Sequence, residues 1–220
     1  MMLKLEHDTL NDRAYREIRQ ALISGRFAPG QVLVIRQLAE TFGISTTPIR
    51  EALQRLVAER ILELQKNRSI AIPLLSAETF LELVRIRCAV EGLATEMAAS
   101  RIDASQLDRL RELSEGMEAA LLPSRRRRYL VLNESFHFTI YESAGAPILL
   151  DMIRALWGRI GPYLTYLFDA QRYVPHANDH HVKIIAALER RAARAARTCI
   201  VRDISEAAAA LADALPRVAR

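Results

Sequence analysis

Placed at about 100° per residue along helices, a small set of polar side chains falls on stripes that are otherwise apolar. Arg87 and Glu91 sit in the middle of a stripe made by Phe80, Val84, Ala94 and Ala98. Asn133 and His137 stand one turn apart among Tyr129, Phe136, Ile140 and Ala144. His181 falls near the centre of the face defined by Ile184, Ile185 and Leu188, with His180 a weaker candidate about 100° away. Asp203 lies at the edge of the face of Ile200, Ile204, Ala207 and Leu211. Burying such groups costs free energy unless they are paired or bind something. Asn133, His137, His181 and Asp203 together offer two imidazoles, a carboxylate and an amide oxygen. That N/O set suits a divalent Zn, Mn or Ni ion with positions left open. Arg87 is suited to clamp an anion beside it in a forked geometry. For each residue alone a plainer reading stays open. An inward histidine is usually a hydrogen-bonded core residue, and Arg87–Glu91 can be a buried i, i+4 pair.

A second constellation lies in the first 75 residues. Ile35 to Phe42 reads as a short helix that Gly43 ends as a left-handed cap. Ser45 then reads as the N-cap of a longer helix in which Pro48 is tolerated, because first-turn amides lack intrahelical acceptors. Ile49, Ala52, Leu53, Leu56 and Val57 follow the spacing of a core-facing stripe. The opposite face carries Thr46, Thr47, Arg50, Gln54 and, at its edge, Arg55. A short helix, a glycine turn and a helix with a Thr/Thr/Arg end is a helix-turn-helix layout, whose second helix enters the major groove N-terminus first. Its amides and hydroxyls hold phosphates, and arginine reads guanine or binds phosphate. Residues 61–64 and 70–72 form two apolar runs around the polar turn Gln65-Lys66-Asn67-Arg68-Ser69, a hairpin. As a wing it brings Lys66, Asn67 and Arg68 to the DNA backbone or minor groove.

These residues need helices to hold them, and the composition supplies them. Eight glycines and eight prolines in 220 residues leave few breaks. Half the residues are hydrophobic, enough for a core without staples. We expect residues 1–75 to form one domain and 76–220 a second. Six helices are predicted in the second, at about 77–101, 103–121, 124–144, 146–168, 174–190 and 192–215. Cys88 and Cys199 lie far apart in apolar surroundings and read as reduced core residues. The start MMLKLEHDTLNDR is too charged for a signal peptide, and no stretch approaches a membrane span. A cytoplasmic protein without membrane contact is expected. The 31 basic and 26 acidic side chains leave a formal net charge of +5, and the 11 basic and 8 acidic ones in the first 75 residues a net +3, which by itself does not decide for DNA.

The run from Ile23-Ser24-Gly25-Arg26-Phe27-Ala28-Pro29-Gly30, through Leu38-Ala39 and Gly43-Ile44-Ser45, to Thr47-Pro48-Ile49-Arg50-Glu51-Ala52-Leu53-Gln54-Arg55-Leu56 resembles the winged helix-turn-helix of GntR-type bacterial regulators. The resemblance implies operator contacts by Arg36, Thr47 and Arg50, with Ser45 as a further one. Thr46 stands where that family commonly has a base-reading arginine, Ser69 where the wing usually has glycine, and Val34 and Ile35 replace polar residues. Glu82 to Arg87 with Val90-Glu91, Asn133 to His137, and His181 to Leu188 resemble the FCD effector domain of the FadR subfamily. Six helices bring it closer to the metal-binding VanR-like branch than to the acyl-CoA-binding one. The resemblance implies a metal held by an Asp and three His, with an arginine at Arg87 holding a carboxylate effector. Here Asn133 takes the Asp position and Asp203 the third His position, so one carboxylate is lost and one gained.

The expected architecture is mostly α: an N-terminal winged helix-turn-helix followed by an all-α, six-helix, FCD-like bundle. The expected function is a ligand-responsive transcription regulator, a repressor, binding double-stranded operator DNA as a homodimer. Dimerisation is implied because one small head reads too few base pairs, and two-fold symmetry matches a palindromic operator. Two other classes are weighed. One is an FCD-type regulator with no functional metal and a ligand such as acyl-CoA. The other is a metal-dependent enzyme, for which no nucleophile–base pair stands at recognisable spacing; an enzyme is not expected.

Overall fold

The computed structural model describes residues 9–168 and 178–214. Helix α1 (Leu10–Ile23) starts at a reciprocal cap in which the Thr9 hydroxyl accepts from the Asp12 amide and the Asp12 carboxylate accepts from Thr9. Helices α2 (Ile35–Phe42) and α3 (Thr46–Ala58) follow, joined by Gly43 at φ 65°, which an L side chain rarely adopts. Ser45 occupies the N-cap of α3 as expected but makes no capping bond with its side chain. Ile18, Leu22, Ile49, Leu53, Leu56 and Ile72 form the core of this head.

The hairpin is present and shorter than its apolar runs suggest. Strand β1 (Glu63–Leu64) pairs antiparallel with β2 (Ile70–Ala71), Glu63 opposite Ala71 and Leu64 opposite Ile70. Ile61, Leu62 and Ile72 lie outside the strands and are buried in the head. Pro73 to Leu75 then lead to the bundle, fixed by Tyr163, whose hydroxyl donates to the Pro73 carbonyl (2.8 Å) and accepts from the Leu75 amide (2.7 Å).

The bundle holds α4 (Ala77–Ala98), α5 (Ala104–Glu118), α6 (Arg126–Ser143), α7 (Pro147–Leu164), α8 (Asp179–Glu189) and α9 (Ala193–Ala214). Single 3-10 turns precede α6 and follow α7. Side chains cap the first two bundle helices: the Ser76 hydroxyl accepts from the Thr79 amide, and the Asp103 carboxylate from the Gln106 amide. Helix α8 starts at Asp179 with Asn178 at its N-cap, and the start expected near residue 174 lies outside the described residues. Phe80, Leu113, Phe136, Ile140, Trp157 and Ile184 are among its buried side chains. Cys88 and Cys199 are half-buried at its edge, not in its core, since their helix faces open to solvent.

Candidate metal centre and DNA-reading face

Five helices converge on one buried polar cluster. α4 supplies Arg87 and Glu91, α6 His137 and Tyr141, α7 Trp157, α8 His181, and α9 Asp203. All seven are buried. His137 Nε2 lies 3.4 Å from Asp203 Oδ2 and His181 Nε2 lies 3.8 Å from Asp203 Oδ1. One ligand atom from each of these three residues falls within 4.8 Å of the others. The imidazoles stand 5.5 Å apart at 79°, with Phe136 against His181 and Trp157 against His137.

Hydrogen bonds fix which nitrogen of each ring is free. Asn178, at the N-cap of α8, donates its amide N–H groups to the Ser114 carbonyl (3.0 Å) and to Glu118 (3.2 Å). Its side-chain oxygen is therefore an acceptor, 2.7 Å from His181 Nδ1, so that nitrogen carries the proton. Tyr141 donates to Glu91 Oε2 (2.5 Å) and stands 3.0 Å from His137 Nδ1, which donates to it. Both Nε2 atoms are left with lone pairs facing the Asp203 carboxylate. His181 Nε2 is buried without a hydrogen-bond partner. Lone pairs turned on a carboxylate repel it unless a cation or proton lies between, and partnered Nδ1–H groups are how metal-binding histidines are held. The donor set fits a divalent ion.

Burial pushes His181 down to about 3, with His180 adding to the effect. Burial also holds His137 well below the ordinary histidine value, helped by His181 and Arg87. Asp203 is pushed up to about 7 by burial, with Arg87 opposing and Glu91 and Glu206 reinforcing. Neutral imidazoles and a carboxyl that ionises near neutrality are ready ligands for a cation.

Arg87 and Glu91 form the buried pair that the sequence left open. Arg87 Nε donates to Glu91 Oε1 (2.6 Å) and Nη2 to Oε2 (3.2 Å), while Trp157 Nε1 donates to Oε2 (3.1 Å). Burial works against the Arg87 charge, but Glu91, Tyr141 and Asp203 raise its pKa overall. The arginine's fork is thus engaged by a neighbouring carboxylate.

Asn133 stands one turn before His137 on α6 and is half-buried. The amide beside a ring nitrogen is Asn178, which the sequence reading missed. Its signal was its place three residues before His181 at the helix start. His180 is also buried, its Nε2 2.7 Å from Glu206, so it ties α8 to α9. Arg154 lies away from the cluster. It pairs with Glu142 and Asp151 in a cleft of about 1020 Å³ between head and bundle, because its side of α7 faces the head.

On the head, Arg36, Ser45, Thr46, Thr47, Arg50 and Gln54 are all exposed. Arg36, Ser45 and Thr46 line a shallow groove between α2 and the start of α3. Arg55 is exposed but lies over the Tyr15 ring and pairs with Asp12 and Glu59 of the head itself. Lys66, Asn67 and Arg68 are exposed at the wing tip. There the Asn67 side-chain oxygen accepts from the Ser69 amide (3.0 Å), and Arg68, not a glycine, takes the left-handed conformation at φ 64°.

Residues 10–72 match the family model of bacterial regulatory proteins of the GntR family, and residues 82–206 match the FCD domain. The chain belongs to the GntR family and carries an FCD domain: it is a DNA-binding transcription regulator. It is 31% identical over 200 residues to the transcriptional regulator McbR of Escherichia coli K12, covering 90% of each chain. It is 24% identical over 200 residues to the transcriptional repressor RspR of the same organism, covering 90% of this chain and 88% of RspR. The solved structure of McbR superposes with a TM-score of 0.85 at 30% identity, covering 92% of this chain and 97% of that one. No helix among the described residues is long and apolar enough to cross a membrane.

Proposed function

We propose that this regulator is a homodimeric repressor switched by a small carboxylate effector at a divalent metal site formed by His137, His181 and Asp203. The observation that carries the reading is the pair of Nε2 lone pairs, fixed through Asn178 and Tyr141, turned on one buried carboxylate. Zn, Mn and Ni accept this mixture of imidazole and carboxylate. Asn133, half-buried one turn from His137, is the candidate for a further oxygen ligand. Three protein ligands leave positions open for an effector.

Arg87 lies within electrostatic reach of Asp203 as well as Glu91. An effector carboxylate that uses it competes with Glu91, so the effector gains its affinity from the ion and the arginine together. The likeness to RspR supports repression, and the need to read two half-sites supports a dimer. The Arg87–Glu91 pair favours one second reading, a regulator whose arginine is purely structural and whose ligand is of another class.

Elemental analysis of the purified protein tests the centre. The wild type is expected to carry a divalent ion, and replacing His137 and His181 together by alanine is expected to abolish it. Equal metal before and after would show the site misplaced. Trp157 is the single tryptophan, its ring 5.2 Å from that of His137, so its fluorescence reports the site directly. Thermal shift against a panel of organic acids, with and without chelator, then separates the two readings.

A further inference from the structure

Trp157 and two glycines of α7 lie on two sides of one helix. Trp157 faces the cluster: it donates to Glu91, lies against His137, and has the Arg87 guanidinium 5.0 Å from its ring centre. The next residue faces the head. A Cβ on Gly158 would stand 2.8 Å from Ile61 Cδ1, just past the end of α3. A Cβ on Gly161 would stand 2.6 Å from Ile23 Cα and 3.1 Å from the Leu22 carbonyl, the last turn of α1. The two glycines form a saddle on which the back of the DNA-reading head sits. Tyr163, two residues further, holds the linker.

α7 is also weakest at this place. Pro162 lies inside it and has no N–H to give the Gly158 carbonyl, so one hydrogen bond of the ladder is missing beneath the saddle. From these observations we infer that α7 transmits the state of the metal centre to the head: Trp157 senses Glu91 and His137, and the Gly158–Gly161 saddle turns with it and carries α1 and the end of α3. The chain of contacts is continuous from His137 through Tyr141, Glu91 and Trp157 to the saddle. This rests on the proposed metal site. Trp157 and the glycines are positioning residues and bind neither ion nor DNA.

A second connection competes with it. Glu134, three residues before His137 on α6, accepts from Gln20 of α1. The two routes have to be told apart.

The test is hydrogen exchange on the full chain with and without Zn²⁺, reading peptides over residues 18–26 and 56–64, with Zn²⁺ content measured in the same samples. Zn²⁺ is expected to change exchange there in the wild type by about fivefold or more, the low end of ordinary site-to-site coupling. Trp157→Phe, which keeps a ring but loses the N–H, is expected to silence the head peptides while the ion stays bound. Gly161→Ala touches no side chain of the centre but displaces Ile23, so it should change exchange of the head peptides already without Zn²⁺ and remove their further response to Zn²⁺ while the ion stays bound, which decides the matter if Trp157→Phe itself loses the ion. Glu134→Gln is expected to respond as the wild type does. A head that still responds in both α7 variants, or that is silent in zinc-loaded wild type, overturns the inference. So does a response lost in Glu134→Gln alone, which assigns the route to α6. A wild type that binds no Zn²⁺ removes the metal site itself, a different failure.

Discussion

Replacing Glu91 by glutamine tests the electrostatics of the centre most sharply. Glu91 is fully enclosed and accepts four hydrogen bonds, two from Arg87 and one each from Tyr141 and Trp157. An amide of the same shape removes the charge and turns an NH2 group towards donors that have nowhere else to go. Arg87, 6% exposed, is then a buried cation whose remaining nearby anion is Asp203. Stripping the partner from a buried ion pair costs about 3–5 kcal/mol. For a chain of this size that lowers Tm by roughly 6–20 °C. Urea unfolding of the chelator-treated protein reads it as a lower midpoint at unchanged slope. The double variant Arg87→Met, Glu91→Leu removes both charges and fills the volume, so it should recover to within about 2 kcal/mol of the wild type. It should also lose any response to a carboxylate effector that depends on Arg87. A single-variant loss below about 1 kcal/mol, or a double variant worse than the single, would refute the claim that a buried charge pair organises the cluster.

Three other outcomes follow from the same geometry. Asn178→Ala frees the Nδ1 side of His181, and metal affinity measured by competition with a chelating dye should fall by roughly 10–100-fold without loss of fold. In the metal-free protein Asp203 takes up a proton as pH falls through about 7, while His181, near 3, stays neutral. Zn²⁺ affinity should therefore weaken by about tenfold per pH unit between pH 6.5 and 5, one proton released per ion, and a slope of two or none would contradict the assignment. On the head, Arg50→Ala should weaken operator binding by about 1–3 kcal/mol at fixed salt in a gel-shift titration; undiminished affinity would remove Arg50 from the interface.

Much of this was legible because it is local. Helix α2 was read to the residue, since Gly43 and the apolar spacing of Ile35 to Phe42 need only neighbouring atoms to act. The inward aim of Arg87, His137, His181 and Asp203 follows from helical periodicity, which fixes the face that each element buries. The partners across the bundle were not legible. Asn133 shares the face of His137 and was chosen for that reason, yet the amide that orients a ring is Asn178, held by Ser114 and Glu118 of α5. Tyr141 was readable as one turn past His137, but its bond to Glu91 on α4 was not.

By itself, then, the amino-acid order determined the helices, the head with its exposed Thr47 and Arg50, and the list of polar groups turned inward. Backbone geometry and burial preference act over a few residues, and a single chain segment displays them. Only the tertiary structure decided that Arg87 spends its fork on Glu91, that both imidazoles present Nε2 to Asp203, and that α7 touches the cluster with Trp157 and the head with Gly161. Those outcomes depend on which helices become neighbours and at what rotation, and that is fixed by side-chain packing over the whole bundle.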